Sequence, residues 1–322
     1  VLRDSSNIIQ CVFQEEKLGK RWKELDNLLV ESSIEIEGKI KKDERAPTGY
    51  EIDVDDFEVI HKAEPFPITK EINEELLLDR RHLWLRSRKM TSILKVRSTI
   101  FDAIHEYFRE NGYYEYHSPI FQAVQAEGGS TLFEVKYFDK KTYLAQTWQL
   151  YAEPAIFALE KIYTIEPAFR AEKSKTSRHL TELWMAEMEA AWLDFKGIQD
   201  HGEGLIKHIV KRVLEKNKPE LELLGRDIKK LEPTLKKDFV RMTYDDALKI
   251  LKTKCKMDVP WGKDLRTTEE DALSKLHDVP IIITHYPKEV KAFYMKEDEK
   301  NKKVVLGCDF IAPECYGEII GG

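Results

Sequence analysis

The chain has 322 residues, 42% hydrophobic and 34% charged, with a formal net charge of −6. That is long enough for two domains, each with its own core. The composition is ordinary for a soluble protein: no apolar run approaches bilayer length and no N-terminal stretch has the layout of a signal peptide, so a cytoplasmic protein that does not span a membrane is expected.

The charge is uneven. Residues 1–64 hold ten Lys and Arg against sixteen Asp and Glu, while the remaining 42 of each sign cancel. There is no basic footprint, so charge gives no support for nucleic-acid binding. Cys11, Cys255, Cys308 and Cys315 are widely spaced and lack CxxC or His-rich surroundings, which predicts free buried thiols.

In chain order, Val1 to Phe13 reads as strand, turn and strand around Asp4-Ser5-Ser6-Asn7, followed by an amphipathic helix from Glu15 to Leu29. Two alternating strands, Ser33 to Ile40 and Tyr50 to Ile60, are joined by a turn containing Pro47. This order matches the later part of an OB-fold barrel, a common holder of single-stranded nucleic acid, and equally a generic small β-domain. Pro65-Phe66-Pro67 marks a stiff connection, and residues 65–80 are read as a hinge.

Arg88 to Asn111 has a helical apolar repeat and ends at Gly112, as a C-terminal cap would. A short strand, Tyr113 to Tyr116, is stopped by Pro119. Glu127-Gly128-Gly129-Ser130-Thr131 reads as a mobile loop or a plain turn. A helix is predicted from Gln149 to Tyr163, with Pro154 kinking it or lying near its first turn.

Ile162 to Glu172 alternates as a strand does, and Lys173 to Ser177 is polar enough for a turn, so Ile162 to Glu189 reads as a hairpin. On such strands Arg170 and Glu172 share a face, as do Glu187 and Glu189, beside Phe169, Trp184 and Trp192. Four ionisable groups there would be costly without partners, and a charged, polyvalent ligand would supply them. The competing reading is a surface helix, because Glu182 to Trp192 is rich in helix formers.

A helix follows from Gly197 to Asn217, then a charge-dense solvated helical insertion from Lys218 to Asp238. Thr243 is placed to cap a helix from Tyr244 to Lys252, and Thr268 with Asp271 resembles a capping box. Strands are expected at Val279 to His285, Ala292 to Lys296, Val304 to Asp309 and Tyr316 to Ile320. Strands and helices interleave without βαβ regularity, which predicts an α+β domain on an antiparallel sheet. Neither GxxxxGK[ST] nor GxGxxG occurs, so a nucleotide would be held by side chains on the sheet.

These motifs together resemble the class II aminoacyl-tRNA synthetases of the aspartyl, asparaginyl and lysyl subgroup, over nearly the whole chain. Phe169-Arg170-Ala171-Glu172 through Arg178-His179-Leu180-Thr181-Glu182 resembles motif 2, the strand-loop-strand that holds ATP. The helix ending at Asn111-Gly112-Tyr113 and the strand reaching Pro119 resemble motif 1, which implies a homodimer.

The resemblance implies three parts: a partial OB-fold anticodon-binding domain at 1–64, the hinge at 65–80, and a class II catalytic domain at 81–322. It implies ATP and Mg²⁺, with Arg170 on the α-phosphate as the catalytic residue and Glu172 on the adenine amino group. Arg178, His179, Leu180 and Glu318 complete the ATP contacts, and Glu318 with Asp309 would hold the metal. Glu127, Gln149 and Glu187 would bind the amino acid.

Aspartyl relatives usually place a lysine two residues after the Gln-Leu-Tyr start of the helix, whereas here Gln149-Leu150-Tyr151 is followed by Ala152 and then Glu153. Glu187 stands where the asparagine-selecting acid is expected. The implied reaction is therefore formation of asparaginyl-adenylate and transfer of asparagine to its tRNA. Rival readings are aspartate activation, by an aspartyl-tRNA or asparagine synthetase, and an RNA-binding paralogue without chemistry. Motif 3 and the opening barrel strands are not in this sequence, so the chain is read as cut from a longer protein. Pro154 and Cys315 depart from the helix former and glycine that the family pattern expects.

Overall fold

The computed structural model of the chain describes residues 1–68, 73–124, 126, 131–172 and 180–322. It divides into two compact units, Val1–Ser87 and Arg88–Gly322.

In the first unit, β1 (Leu2–Arg3) and β2 (Ile8–Val12) form the expected strand-turn-strand. The turn is fixed by Asp4, whose Oδ1 accepts from the Ser6 and Asn7 amides, the usual way an Asx side chain closes a turn. The expected Glu15–Leu29 helix is broken: α1 (Glu15–Leu18) ends at Gly19, whose φ is 55°, and α2 (Trp22–Leu25) follows a single tight turn. Strands β3 (Ser33–Lys42) and β4 (Tyr50–His61) form a long antiparallel pair. The sheet order is β1-β2-β4-β3, with β2 and β4 parallel. Leu18, Val54 and Phe57 make its core. Helices α3 (Glu74–Asp79) and α4 (Arg81–Trp84) complete the unit.

The second unit opens with α5 (Arg88–Glu110), ending at Gly112 with φ 79°. Then come β5 (Tyr114–Glu115), β6 (Phe121–Gln122), β7 (Glu134–Tyr137) and β8 (Lys140–Leu144). Helix α6 (Gln149–Leu159) runs through Pro154 in its second turn and stops four residues before the expected Tyr163. Glu160, with φ 62°, turns the chain, and Ile162-Tyr163-Thr164-Ile165 then favour a strand.

That strand, β9 (Lys161–Phe169), pairs antiparallel with β10 (Glu182–Ala190) in an unbroken register, so the surface-helix alternative fails. The strand ends at Phe169, earlier than expected, and among the described residues the pairing is extended by the Arg170 amide donating to the Thr181 carbonyl at 3.0 Å. The sheet order is β10-β9-β5.

Helix α7 (Phe195–Lys216), capped by Asp194, packs against α5. Its glycines allow close approach: a Cβ at Gly202 would lie 2.4 Å from the Phe310 ring, and one at Gly204 2.5 Å from the Tyr107 hydroxyl. The expected solvated insertion is in part core, since α8 (Lys218–Leu223) buries Leu221 against Val213 and Leu214. Helix α9 (Glu232–Lys236) and strand β11 (Val240–Thr243) follow.

Thr243 caps α10 (Tyr244–Lys254) by accepting from the Asp246 amide. The capping box of α11 (Thr267–Ser274) is not Thr268 with Asp271: the Glu269 carboxylate reaches back to the Arg266 amide at 3.0 Å. Strands β12 (Ile281–Thr284), β13 (Cys308–Ala312) and β14 (Gly317–Gly321) sit inside or downstream of the expected ranges. Ala292 to Lys296 is not a strand, and Val304 makes only an isolated bridge with Pro287.

The sheet order is β11-β12-β13-β14, with β11 and β12 parallel and the other pairs antiparallel. Ile281, Ile282 and Ile283 are fully buried because β12 is covered on both faces, by α10 and α11 on one side and α7 on the other. That environment explains an unbroken apolar run where one solvated face would give alternation. Among the four cysteines, none is disulfide-bonded; Cys308 is buried and the other three are half-buried. Among the described residues no helix is long and apolar enough to cross a membrane.

Candidate active site

The β9/β10 register sorts the hairpin's side chains into two faces. Tyr163 and Ile165, with Met188 and Ala190, pack on α5, and Trp184 meets Phe101 edge-on. Ile162, Thr164, Glu166 and Ala168 share the other face with Glu187 and Glu189, because Thr164 lies opposite Glu187 and Ile162 opposite Glu189. Ile162 carries Trp148 and Ala152 of the α6 segment on that face. The acids therefore do not stand beside Phe169 and Trp184, which alternate to the far side, and Trp192 is 92% exposed.

Glu187 is held by its own chain. Its Oε1 accepts from the Trp148 amide at 3.1 Å and its Oε2 from the Thr147 hydroxyl. The carboxylate thus caps the start of α6, where free amide groups favour an anion. Burial raises its pKa and these two bonds work the other way; Glu166 raises it further and Arg170 lowers it. Gln149 begins α6, with its amide nitrogen 3.3 Å from Glu153 Oε1. Glu166 accepts from the Ser118 amide at 2.9 Å and its hydroxyl at 3.1 Å. Glu189 is pushed up to about 7, by burial first and then by Glu153 and Glu187.

Among the described residues, two polar atoms on this floor are buried without a hydrogen-bond partner: Arg170 Nε and Thr164 Oγ1. A buried guanidinium nitrogen left unpaired is costly, and an anionic ligand would satisfy it. Glu172 is half-buried beyond the end of β9, and Leu180 is 68% exposed just before β10. Glu127, Arg178 and His179 lie outside the described residues.

A second group of charges lies on β13 and β14. Asp309 is paired in register with Gly321, and a Cβ on that glycine would lie 2.7 Å from Glu318 Oε1 and 3.6 Å from Asp309 Oδ1. The two acids thus converge over a residue with no side chain. Asp309 is buried, whereas Glu318 is reached by solvent. The density of protein around Glu318, and then Asp309, push its carboxyl up to about 7.

Lys291 Nζ stands 2.5 Å from Asp309 Oδ2. Asp264 joins the group electrostatically and is raised by burial and by Asp309. Among the described residues no three acidic, His or Cys side chains form a ready metal cage. Two carboxylates fit a magnesium ion that takes its other ligands from phosphate and water.

Sequence reasoning missed Thr147, Thr164, Glu166, Asp264 and Lys291. Thr147 immediately precedes Trp148-Gln149, and a Ser or Thr before a helix start was a usable signal. Lys291 gave none, because its partner is 18 residues away.

A family model described as tRNA synthetases class II (D, K and N) matches residues 73–322, and one described as an OB-fold nucleic acid binding domain matches residues 1–60. The chain is 48% identical over its whole length to the asparagine–tRNA ligase of Thermoplasma acidophilum, covering 75% of that protein. The crystal structure of asparaginyl-tRNA synthetase from Pyrococcus horikoshii complexed with asparaginyl-adenylate superimposes with a TM-score of 0.94 at 45% identity, over 99% of this chain and 74% of that one. The Entamoeba histolytica asparaginyl-tRNA synthetase, also with asparaginyl-adenylate, gives a TM-score of 0.84 at 28% identity, with the same coverage.

Proposed function

The chain belongs to the class II tRNA synthetases of the D, K and N type, and on that premise we propose that it is an asparagine–tRNA ligase using ATP and Mg²⁺. Its relatives carry that activity in their names at 45–48% identity, and two of the similar structures hold asparaginyl-adenylate. In the first step a carboxylate oxygen of asparagine attacks the α-phosphorus of ATP as the bond to the bridging oxygen breaks and pyrophosphate leaves. In the second, the tRNA's terminal hydroxyl displaces AMP. The nucleophile of the first step is already an anion, so no general base is needed and catalysis is positioning and electrostatics.

Arg170 is the catalytic residue in this reading. Its unpaired Nε lies on the floor, where it would neutralise charge building on the α-phosphate. Glu172, Leu180, Arg178 and His179 would complete the ATP contacts. Asp309 and Glu318 would hold Mg²⁺, which supplies charge neutralisation at phosphate oxygens when bound. Gln149 and Glu127 would meet the amino acid's backbone groups.

Glu187 carries the substrate reading. With one oxygen on each of two neutral donors, it keeps lone pairs for the side-chain amide of asparagine and repels the carboxylate of aspartate. The OB-fold unit would hold the anticodon, and β5, an edge strand with one partner among the described residues, would lie at a homodimer interface. A cytoplasmic place of work belongs to the same reading. Amino-acid-dependent ATP–pyrophosphate exchange tests it. Exchange with asparagine is expected; exchange with aspartate alone would overturn the substrate, and none with either would overturn the enzyme.

A further inference from the structure

Lys291 follows the short turn Lys288–Val290, far in sequence from the acids it serves. Its side chain is 14% exposed and that of Asp309 8%. The ammonium also stands 4.1 Å from the centroid of the Tyr286 ring.

The Tyr286 hydroxyl also donates to the Asp309 carboxylate, and the two Asp309 oxygens face different neighbours. Oδ2 is taken by Lys291, while Oδ1 points to the space over Gly321 that Glu318 Oε1 also borders. Two carboxylates, Asp309 and Glu318, face the same space, and one ammonium serves them. A divalent ion at Asp309 and Glu318 would supply the missing charge. An ion that shared Asp309 with the ammonium would be repelled by it. The lysine has a flexible four-carbon stem and an aromatic face to rest on, so it is able to yield.

We propose that Lys291 is a resident counter-ion: it holds Asp309 while no divalent cation is bound and competes with that cation for the carboxylate. The lysine thereby weakens metal binding to the nucleotide-free protein, so that the ion arrives with the triphosphate, whose oxygens supply the remaining ligands. Lys291 is a positioning residue in this scheme. The inference rests on the reading of Asp309 and Glu318 as the metal's ligands.

The test is Mn²⁺ titration of the nucleotide-free protein, read by loss of the free-ion EPR signal. K291M removes the ammonium at similar length and is expected to bind Mn²⁺ about tenfold or more tightly, with a larger Mn²⁺-dependent rise in melting temperature than the wild type shows. K291R keeps the charge and grips the carboxylate with two donors, so it is expected to bind Mn²⁺ about threefold or more weakly. If K291M does not fold, K291R decides alone: equal or tighter binding there overturns the proposal.

Unchanged, weaker or undetectable binding by folded K291M overturns it as well. D309N, made in both the wild-type and K291M backgrounds, separates the two failures. If Mn²⁺ binding survives D309N, the ligand assignment is wrong; if D309N abolishes binding while K291M leaves it unmoved, only the counter-ion role is wrong.

Discussion

Glu187 and Asp309 are both carboxylates that need partners, and the protein supplies those partners in opposite ways. Glu187 receives a hydroxyl from Thr147 and an amide from Trp148, both neutral and both built into the start of α6. Asp309 has one neutral donor, the Tyr286 hydroxyl, but its close partner is a full positive charge on a flexible stem, Lys291. Neutral donors leave the acid its charge and fix its direction, which suits a group that must read the shape and polarity of a small side chain. A cation on a flexible stem balances the charge and, in the proposed scheme, can be exchanged for another cation. The difference teaches that the partner of a buried acid indicates whether it is built to point or to trade.

The comparison breaks first at Arg170, which lies on the pointing floor yet has an unpaired donor. R170A is expected to lower asparagine-dependent ATP–pyrophosphate exchange by about 10³-fold, as removal of a preorganised charge donor does. R170K should restore little, because a point charge does not reproduce the planar fork. If R170A keeps near-normal exchange while folding normally by circular dichroism, the floor does not hold the triphosphate.

The fixed direction of Glu187 is the next place to press. E187Q is expected to cost about 10²-fold in kcat/KM for asparagine, because the amide substituted there cannot accept as strongly and leaves Thr147 and Trp148 with a poorer partner. T147V removes one of the two fixing bonds and should cost about tenfold, mainly in KM. If T147V equals the wild type, neutral donors are not what aims the acid. If E187Q activates aspartate as well as the wild type activates asparagine, the repulsive half of the selection is established.

Much of this was legible in the sequence, for identifiable reasons. The hairpin showed because Ile162 to Phe169 alternates and the residues that follow, Lys173 to Ser177, are polar in sequence, and α10 showed because Thr243 is a sound cap. Arg170, Glu172 and Glu187 stood out because they fall at positions of a family motif; strand spacing alone does not mark them, since Glu35, Glu37, Lys39 and Lys41 have the same spacing on an ordinary exposed face of β3. Other features resisted local rules. The helix at Glu15 breaks at one glycine with positive φ. Ala292 to Lys296 has apolar character but no ladder, because pairing depends on where a distant strand passes. Lys291 is 18 residues from Asp309, and no periodicity links two residues joined only by tertiary folding.

The smallest expected effect falls on Glu189, which shares the sheet face of Glu187 but has a different environment. No hydrogen bond fixes it among the described contacts; burial, then Glu153 and Glu187, push it up to about 7 from an ordinary value of 4.5. A carboxyl whose folded pKa is raised binds its proton more tightly in the native state, so its ionisation works against folding. Its contribution is fully present below about pH 4.5 and is lost as pH rises through about 7. Wild-type stability should therefore fall across that window, and E189Q, which cannot ionise, should fall less. At pH 8 E189Q is expected to be about 1–2 kcal/mol more stable than the wild type, with little difference at pH 4. Urea unfolding at the two pH values checks it. An equal difference at both would mean that Glu189 is held by contacts instead of by charge, and would place it with Glu187 among the acids built to point.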